Sequence, residues 1–283
     1  MNTLSNEKNG LKAVANICVK NKSSNRAKIL EYEELAKTLP QIEIPVDHYI
    51  HGGMYGREIT IPKGAVITGQ IYKFDHLDIM ISGDITVSTD SGETKRLTGH
   101  NVFNGMSGKK RAGYAHEDTT WITIHAVGGT DGDEIQSYIT SETFGALEDF
   151  HNEINRADYF NFVDNSLMTQ EEIIKQVENE DDMVSDELEG VFIAPSKIQG
   201  RGLFSSEQFL AGDFICQARA QDMRTLAGRF SNHAVFPNAK IEITECGAQF
   251  FAIRNIESDE EITVNYADVI KNRHINGDFS CQE

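Results

Sequence analysis

Two blocks of short, alternating apolar segments limit how this chain can fold. The first block, 41–130, contains segments such as REITIPKG, AVITGQIYKF and TWITIHAVGG, rich in Thr, Ile and Val and interrupted by Gly or Pro. The second block, 190–270, contains GVFIAP, DFICQARA, KIEITECG and EITVNY. Alternation with a period of two predicts half-buried strands, and closely spaced strands without helices predict a barrel or sandwich. We therefore expect a mainly β protein with a few helices.

The regions outside these blocks favour helices and solvent. In the N-terminal arm, the segment Ala27–Leu39 has apolar residues at helical spacing and ends before Pro40, which predicts a short helix. The connector between the blocks carries helical spacing in ETFGALEDFHNEINRADYFNFV. Thr169 with Glu172 has the pattern of a capping box and predicts the start of another short helix.

The rest of the connector is acidic. Between Glu171 and Glu189 it carries nine acidic residues and one lysine, which predicts a solvated, mobile linker. The chain is thus expected to contain an arm with a short helix (1–40), a β-barrel (41–130), a helical and acidic linker (131–189), a second β domain (190–270) and a flexible tail (271–283).

Charge argues against some classes of partner. The 283 residues carry a net charge of −18, with 44 acidic residues against 26 basic ones. Such a surface repels a phosphate backbone, so we expect no direct nucleic-acid binding, whereas a lysine-rich partner would be attracted. A role in solubility alone is the other interpretation of this acidity.

Signals for targeting and for cysteine chemistry are sparse. No apolar run approaches the ~20 residues of a membrane span, and the start, MNTLSNEKNGLK, lacks the apolar core of a secretion signal. We expect a cytoplasmic location and no membrane partner. The cysteines at 18, 216, 246 and 281 form no CxxC pair, which argues against a cysteine-based zinc site and a disulfide framework.

Four segments follow one another in the second block. A Gly200-Arg201-Gly202 turn comes first, and a turn that leads into a strand, GDFI, begins at Gly212. The segment RFSNHAVFPN starts at Arg229, and EEITVNY ends at Tyr266. Alone, the Gly-x-Gly turn is a weak signal, because such turns are common.

In this order the segments resemble the SET-domain protein-lysine methyltransferases. The family pattern runs GxG, a Gly-acid-x-Ile turn, RFxNHxxxPN and EEITxxY. The small viral and phage members look most similar, because they also lack flanking zinc modules. The resemblance implies a SET-like β-fold in 190–270, S-adenosylmethionine (SAM) as the cofactor and a lysine-bearing protein as the substrate. For a viral protein the location would be the host cytoplasm.

The resemblance also implies roles for individual residues. Tyr266 would be catalytic, with its hydroxyl orienting a neutral lysine amine beside the sulfonium. Taken singly, the polar residues also fit local structural roles, such as a turn cap for Asn232. The residues implied in cofactor binding are Gly200, Arg201, Gly202, Arg229, Phe230, Asn232 and His233.

The chain departs from the family pattern at several points. Ala234 stands where Ser usually follows Asn-His, and Asp259 stands where Gly precedes Glu-Glu. Only thirteen residues, 216–228, separate Ile215 from Arg229, and they include no aromatic residue. In active members a longer insert there builds one wall of the lysine channel. The N-terminal domain, the connector or a second subunit would have to close that channel, or the site is degenerate.

The first block resembles a cupin. The resemblance rests on IPKGAVITGQIYKFDHLDIMISGDITVSTDSG and on KKRAGYAHEDTTWITIHA, and small phage proteins look most similar. It implies a β-barrel and a divalent metal held by His76, His116 and His125 with Glu117 or Asp78 as the carboxylate. The usual HxH pattern is missing around His76, so a purely structural barrel remains the other interpretation.

Three functions stay open at this point. The first is a SAM-dependent protein-lysine methyltransferase in which the cupin-like domain serves assembly or substrate selection. The second is a non-catalytic phage assembly or virion-associated protein with a degenerate SET fold. The third is a cupin metalloprotein. Edge strands in both β domains also predict a homo-oligomer.

Overall fold

The computed structural model describes residues 25–38, 40–89, 93–165, 169–184, 187–221, 223–244 and 247–268. Most of the predicted arm and all of the predicted tail lie outside these residues. The architecture is mainly β with a few helices, as the sequence predicts. The chain forms two compact units, Met1–Leu147 and Glu148–Glu283.

The N-terminal unit is built from antiparallel strands in two main sheets. Among the described residues, one sheet has the order β1-β2-β10-β5-β8 and the other the order β3-β9-β6-β7. The strands are β1 (Val46–His51), β2 (Met54–Ile61), β3 (Val66–Thr68), β4 (Ile71–Tyr72), β5 (His76–Ser82), β6 (Asp84–Ser88), β7 (Thr94–Thr98), β8 (Asn101–Gly105), β9 (Ala112–Ala115) and β10 (Thr119–His125).

The core of this unit lies between the two sheets. In β5, Asp78 and Met80 are buried while Leu77 and Ile81 are exposed, which is the period of two that the sequence shows. Met80 packs with residues of the other sheet, among them Ile85. The structure therefore confirms the expected arrangement of closely spaced strands around one apolar interior.

Helices pack at the margins of the barrel. The predicted first helix is present as α1 (Asn25–Lys37), and α2 (Gly132–Ile139) begins after Asp131, whose side chain accepts a hydrogen bond from the backbone of Glu134. After α2, the short strand β11 (Thr140–Ser141) pairs with β4.

The C-terminal unit contains the second strand-rich block. Its elements are the part of α3 (Phe144–Asn165) from Glu148 onward, α4 (Gln170–Glu178), β12 (Val191–Pro195), β13 (Arg201–Ser205), β14 (Phe214–Ala220), β15 (Met223–Arg224), α5 (Leu226–Phe230), β16 (Asn232–His233), β17 (Ala239–Thr244), β18 (Gly247–Ala252) and β19 (Glu261–Val264). In the described residues they form sheets of order β12-β13-β19-β16 and β15-β14-β18-β17.

One apolar cluster joins the two sheets of this unit. Leu203 from β13 and Ile262 from β19 pack in the same cluster as Phe250 from β18, and all three are fully buried. Strand β19, which carries the segment EEITVNY, is therefore anchored in the core. Burial of large apolar side chains is the main stabilising term for such a unit.

The connector contains one predicted feature and one contact that the sequence did not indicate. Thr169 and Glu172 form the expected capping box at the start of α4. Farther along, Arg224 donates to both carboxylate oxygens of Asp182, at 2.9 and 2.7 Å. This two-pronged ion pair joins Asp182 to β15, while the mobility of the linker stays a prediction. Within the described residues, no helix combines the length and apolar character needed to cross a membrane.

Candidate functional site

The segments RFSNHAVFPN and EEITVNY, which we call the first and second signature segments, lie side by side in the C-terminal unit. Strand β16 runs parallel to β19, with Asn232 opposite Thr263 and His233 opposite Val264. The backbone N–H of Ala234 extends this pairing by donating to the carbonyl of Val264 at 3.0 Å. Segments that are about 30 residues apart in the chain therefore form one local structure.

Asn238, at the end of the first segment, fixes this pairing from the buried side. Its amide nitrogen donates to the backbone carbonyl of Glu261 at 2.7 Å, and its amide oxygen accepts from the backbone of Thr263 at 2.8 Å. Asn238 is only 1% exposed. Its role is therefore structural, since both polar groups of the amide are used within the fold.

Asn232 ties the Gly-x-Gly turn to β19. Its amide nitrogen lies 3.1 Å from the carbonyl of Gln199, 3.2 Å from that of Arg201 and 2.7 Å from Oε1 of Glu261. The other carboxylate oxygen of Glu261 accepts from the hydroxyl of Ser196 at 2.9 Å. The amide oxygen of Asn232 has no hydrogen-bond donor among the described residues.

The two glycines of this turn have different physical reasons to be glycine. Gly200 adopts a φ of 53°, and a Cβ there would have no neighbour within 4 Å. Gly202 has ordinary backbone geometry, but a Cβ there would overlap the carboxylate of Glu261. Glycine at 200 is therefore favoured by the positive φ, and the space beside it is open. Glycine at 202 is instead favoured because a larger residue would collide with the side chain of Glu261.

Glu261 is a site residue to which the sequence interpretation gave no role. Burial raises the pKa of its carboxyl, and the hydrogen bonds from Asn232 and Ser196 oppose this effect without cancelling it. The only signal in the sequence was its place in the Glu260-Glu261 pair. Because Asn232 bonds both Glu261 and the Gly-x-Gly turn, we expect the protonation state of Glu261 to affect how this turn is held.

His233 is buried and held at both ring nitrogens. Its Nδ1 atom accepts a hydrogen bond from the backbone N–H of Tyr266 at 3.1 Å. Its Nε2 atom lies 2.7 Å from Oδ2 of Asp158 in α3. Since Nδ1 is an acceptor, the proton of the neutral ring is on Nε2 and is donated to Asp158.

Tyr266 lies at the centre of an aromatic group. Its hydroxyl donates to the backbone carbonyl of Ser231 at 2.9 Å, and its ring centroid is 5.2 Å from that of His233 and 5.7 Å from that of Phe162. Burial raises the pKa of its phenol far above the ordinary value, with smaller contributions from Tyr159 and Glu261. Tyr266 therefore remains a neutral hydroxyl over the whole physiological range.

Helix α3 packs directly on the first signature segment. Besides Asp158 and Phe162, Asn155 contributes its amide oxygen, which accepts from the backbone of Val235 at 2.9 Å. On the same helix, Arg156 donates to the carbonyl of Lys197 at 2.8 Å. The region from Glu148 onward is thus part of the candidate site.

A second group surrounds Phe230. The guanidinium carbons of Arg201 and Arg229 lie 4.8 and 5.4 Å from the centroid of its ring, within cation–π range. The Nε atom of Arg229 is buried and has no hydrogen-bond partner among the described residues. Arg229 also approaches Glu180 at 3.9 Å.

The structure therefore brings the predicted residues of this unit together in two adjoining groups. One contains Asn232, His233 and Tyr266, and the other contains Arg201, Arg229 and Phe230. Asp158, Asn155 and Phe162 were missed because they lie in a helix whose polar and aromatic residues carried no motif. Their place in the site depends on contacts over some 75 residues of sequence, which periodicity does not reveal.

The structure brings only part of the predicted metal ligand set together. His76 and His125 stack at 4.8 Å in the five-stranded sheet, and Asp78 lies 3.7 Å from His76, whereas His116 bonds Thr86 in the four-stranded sheet at 2.8 Å. Glu117 is exposed. In the part of the chain that the structure describes, no group of three or more His, Cys, Asp or Glu side chains is arranged to hold a metal. Metal binding by His76, His116 and His125 stays a prediction.

Asp78, the other predicted carboxylate ligand, is engaged with protein groups. It accepts from Trp121 at 3.0 Å and from Arg111 at 3.1 Å, and it lies 3.7 Å from Nε2 of His76. Burial lowers the pKa of His125 to about 4, so its ring is neutral near pH 7. Asp78 is thus paired within the protein, whereas both ring nitrogens of His125 are buried and have no hydrogen-bond partner among the described residues.

Part of the C-terminal unit matches a known family model. Residues 215–267 match the SET-domain family model, a segment that contains both signature segments and their parallel strands. A protein of Plasmodium falciparum described as a candidate histone methyltransferase is 23% identical, with a TM-score of 0.25, over 28% of this chain and 93% of that one. Polycomb Repressive Complex 2 of Chaetomium thermophilum is 21% identical, with a TM-score of 0.25, over 29% of this chain and 15% of that one.

The N-terminal unit has cupin-like structural neighbours. A cupin superfamily protein from Desulfitobacterium hafniense is 13% identical, with a TM-score of 0.27, over 33% of this chain and 87% of that one. No curated protein sequence matches the chain. The family model thus matches only residues 215–267 of the chain.

Proposed function

We propose that this protein is a SAM-dependent protein-lysine methyltransferase of SET type. One observation carries the proposal: parallel strands β16 and β19 place Asn232, His233 and Tyr266 in one connected group. The SET-domain match at 215–267 supports the same assignment. The cupin-like unit would serve assembly or substrate selection.

The donor and acceptor groups of this site fit the amino-acid portion of SAM. The amide oxygen of Asn232 has no donor among the described residues and is suited to an ammonium group. The buried Nε of Arg229 likewise lacks an acceptor there and is suited to a carboxylate. The open space beside Gly200 leaves room for a ligand. SAM, when bound, supplies a methyl group activated by its sulfonium.

Tyr266 would act as a neutral hydroxyl and not as a base. Its raised pKa keeps the proton on the oxygen, and its bond to the carbonyl of Ser231 fixes where the oxygen points. A fixed dipole in a desolvated site needs little reorganisation during reaction. The side chain would therefore orient a lysine amine, while proton removal from the lysine is favoured by the low-dielectric surroundings.

Helix α3 would replace the insert that is nearly absent between Ile215 and Arg229. It presents the ring of Phe162 to Tyr266, and Tyr159 is close enough to influence the pKa of the same phenol. Aromatic side chains give a narrow, apolar wall that suits an aliphatic lysine stem. Of the candidates that the sequence leaves open, the connector is the one that contacts Tyr266 within its own unit.

Titration of S-adenosylhomocysteine into the full chain tests this proposal. We expect binding by the wild type and at least about tenfold weaker binding by Asn232→Ala, the usual cost of one strong hydrogen bond. Asn104→Ala, on exposed strand β8, is the matched control and should bind like the wild type. A wild-type protein that is folded but shows no binding would overturn the proposal.

One set of contacts favours a second function, a non-catalytic assembly or virion-associated protein with a degenerate SET fold. The amide nitrogen of Asn232 and the hydroxyl of Tyr266 are both already bonded within the fold, and α3 covers the rings of His233 and Tyr266. Side chains that are bonded within the fold and covered by a helix would also suit a protein with a purely structural role. Methyl transfer that disappears in Tyr266→Phe rules this function out.

The proposal also includes a substrate class, an oligomeric state and a location. The substrate would be a lysine-bearing protein, to which the acidic chain offers an attractive surface. A homo-oligomer and a cytoplasmic location, in a host if the protein is viral, are predictions that sedimentation and fractionation experiments would test.

A further inference from the structure

The interior of the N-terminal barrel contains a cavity of about 150 Å³. Its lining comes from both sheets, with Ile59 and Asp78 from one and Ile85 and Val87 from the other. An apolar cavity of about this volume is large enough for benzene, so roughly six or seven non-hydrogen atoms can be accommodated. The cavity therefore suits a small organic molecule rather than a water or two.

Part of the cavity lining, which we call the isoleucine wall, is apolar. It consists of branched aliphatic side chains, which present no polar atom to a ligand. They are Ile59, Ile61, Ile67, Ile85 and Val87. A ligand that contacts these residues needs a compact aliphatic body, because any polar group placed there would lose its hydrogen bonds to water.

The polar part of the lining carries excess positive charge. Two guanidinium groups, Arg57 and Arg111, and the side chain of Lys109 line the cavity together with a single carboxylate, Asp78. Arg111 pairs with Asp78 at 3.1 Å. Arg57 donates to the neutral amide of Gln136 at 3.2 Å, and no carboxylate pairs with it among the described residues. The guanidinium of Arg57 is thus left without a protein anion there.

Asp78 cannot supply the missing negative charge to Arg57 as well. Burial alone would raise the pKa of its carboxyl, but contacts with His76, Trp121 and Arg111 outweigh burial and lower it. The carboxylate is therefore ionised and already engaged by three neighbours. The half-buried guanidinium of Arg57 is therefore available to an anion from outside the protein.

A residue of the cavity lining carries an acceptor that lacks a donor. Gln70 lines the cavity, and its Oε1 is buried and has no hydrogen-bond partner among the described residues. Buried polar atoms in folded proteins are almost always paired. A ligand hydroxyl would satisfy this oxygen.

We propose that the barrel cavity binds a small aliphatic hydroxycarboxylate. The carboxylate would lie at Arg57 and Arg111, the hydroxyl at Gln70, and the carbon chain on the isoleucine wall. This site is separate from the proposed methyltransferase site and does not depend on that function. It gives the cupin-like unit a ligand-binding role that needs no metal ligand set.

Calorimetric titration of the full chain tests the site with three probes of similar size. They are 3-hydroxybutyrate, butyrate and the uncharged 1,3-butanediol. We expect 3-hydroxybutyrate to bind best, butyrate more weakly and the diol not at all up to about 10 mM, ten times the Kd of a millimolar ligand. Equal binding of the diol and the acid, or no binding of any probe in this range, would overturn the proposal.

Two variants and a control locate the bound acid. Arg57→Met keeps most of the side-chain volume and should weaken 3-hydroxybutyrate by at least about tenfold, as expected for a charged hydrogen bond. Gln70→Leu should bring the affinities of 3-hydroxybutyrate and butyrate together. Arg96→Met, an exposed arginine on β7, should change neither. Circular dichroism establishes that each variant is folded, and an unchanged affinity in folded Arg57→Met contradicts the site.

Discussion

Asp158 and His233 form a hydrogen bond of 2.7 Å between the carboxylate Oδ2 and the ring Nε2, and this bond joins α3 to the first signature segment. The opposite ring nitrogen accepts from the backbone of Tyr266. The position of Tyr266 is therefore coupled through one imidazole ring to a helix far away in the sequence. Asp158 is a positioning residue in this account, and it does not contact the reacting atoms.

Removing the Asp158 carboxylate tests this coupling. Asp158→Ala leaves the Nε2–H of His233 without its partner, and we expect a loss of about 1–2 kcal/mol in the free energy of unfolding. Asp158→Asn retains an acceptor oxygen and should recover most of the loss. Urea denaturation measures both, with exposed Glu153→Ala on the same helix as the control. Equal stability of Asp158→Ala and the wild type would contradict the coupling.

The wall proposed for α3 is tested at Phe162. Phe162→Leu shortens the side chain that packs edge-on against Tyr266. We expect kcat for methyl transfer to fall about tenfold or more, because misplacement of a reacting group is costly, while the affinity for S-adenosylhomocysteine stays the same.

Phe160→Leu provides the matched control for this experiment. Phe160 lies on the same helix and is 42% exposed, so its replacement should leave both quantities unchanged. If α3 instead blocks the site, Phe162→Leu would raise the rate of methyl transfer. That result would contradict the proposal that α3 forms a wall of the lysine channel.

The raised pKa of Glu261 predicts a pH-dependent effect on stability. Burial makes the folded protein favour the protonated carboxyl, so the stabilising contribution is complete below the ordinary value of 4.5 and is lost as the pH rises through the folded-state pKa. Glu261→Gln imitates the protonated form. The variant should therefore gain stability relative to the wild type between pH 4.5 and neutrality. Urea denaturation across this range checks the sign, and a constant difference would refute it.

Asp259 stores backbone strain just before β19. Its φ of 66° lies in the left-handed region, which glycine adopts without a steric penalty. The SET pattern has Gly at this position, and the structure supplies the physical reason. We expect Asp259→Gly to stabilise the protein by up to about 1 kcal/mol. Thermal denaturation would show a higher Tm, and a lower Tm would mean that the Asp259 side chain makes a compensating contact.

The sequence predicts the local elements well because their signals are local. Alternating Thr, Ile and Val residues identify the strands, and the capping box at Thr169 identifies the start of α4. The side-by-side placement of Asn232 and Thr263 was not predicted from the sequence, since a parallel pairing leaves no mark in either strand alone.

Long-range contacts account for what the sequence did not predict. In the sequence, nothing distinguishes Asp158 from the other acidic residues of its helix. Its contact with His233 exists only in the folded protein. The separation of His116 from His76 has a related cause. His76 begins β5 of one sheet, whereas His116 follows β9 and bonds Thr86 of the other, and histidine spacing does not reveal which sheet a strand joins.

Transfer of a labelled methyl group from SAM to a lysine-bearing protein tests the central claim most directly. The full chain should label a lysine-rich protein acceptor, and Tyr266→Phe, which removes only the hydroxyl bonded to Ser231, should abolish labelling while the protein still binds S-adenosylhomocysteine. Labelling that is identical in the wild type and in Tyr266→Phe, or a folded wild type that binds cofactor and labels no lysine, would contradict the account.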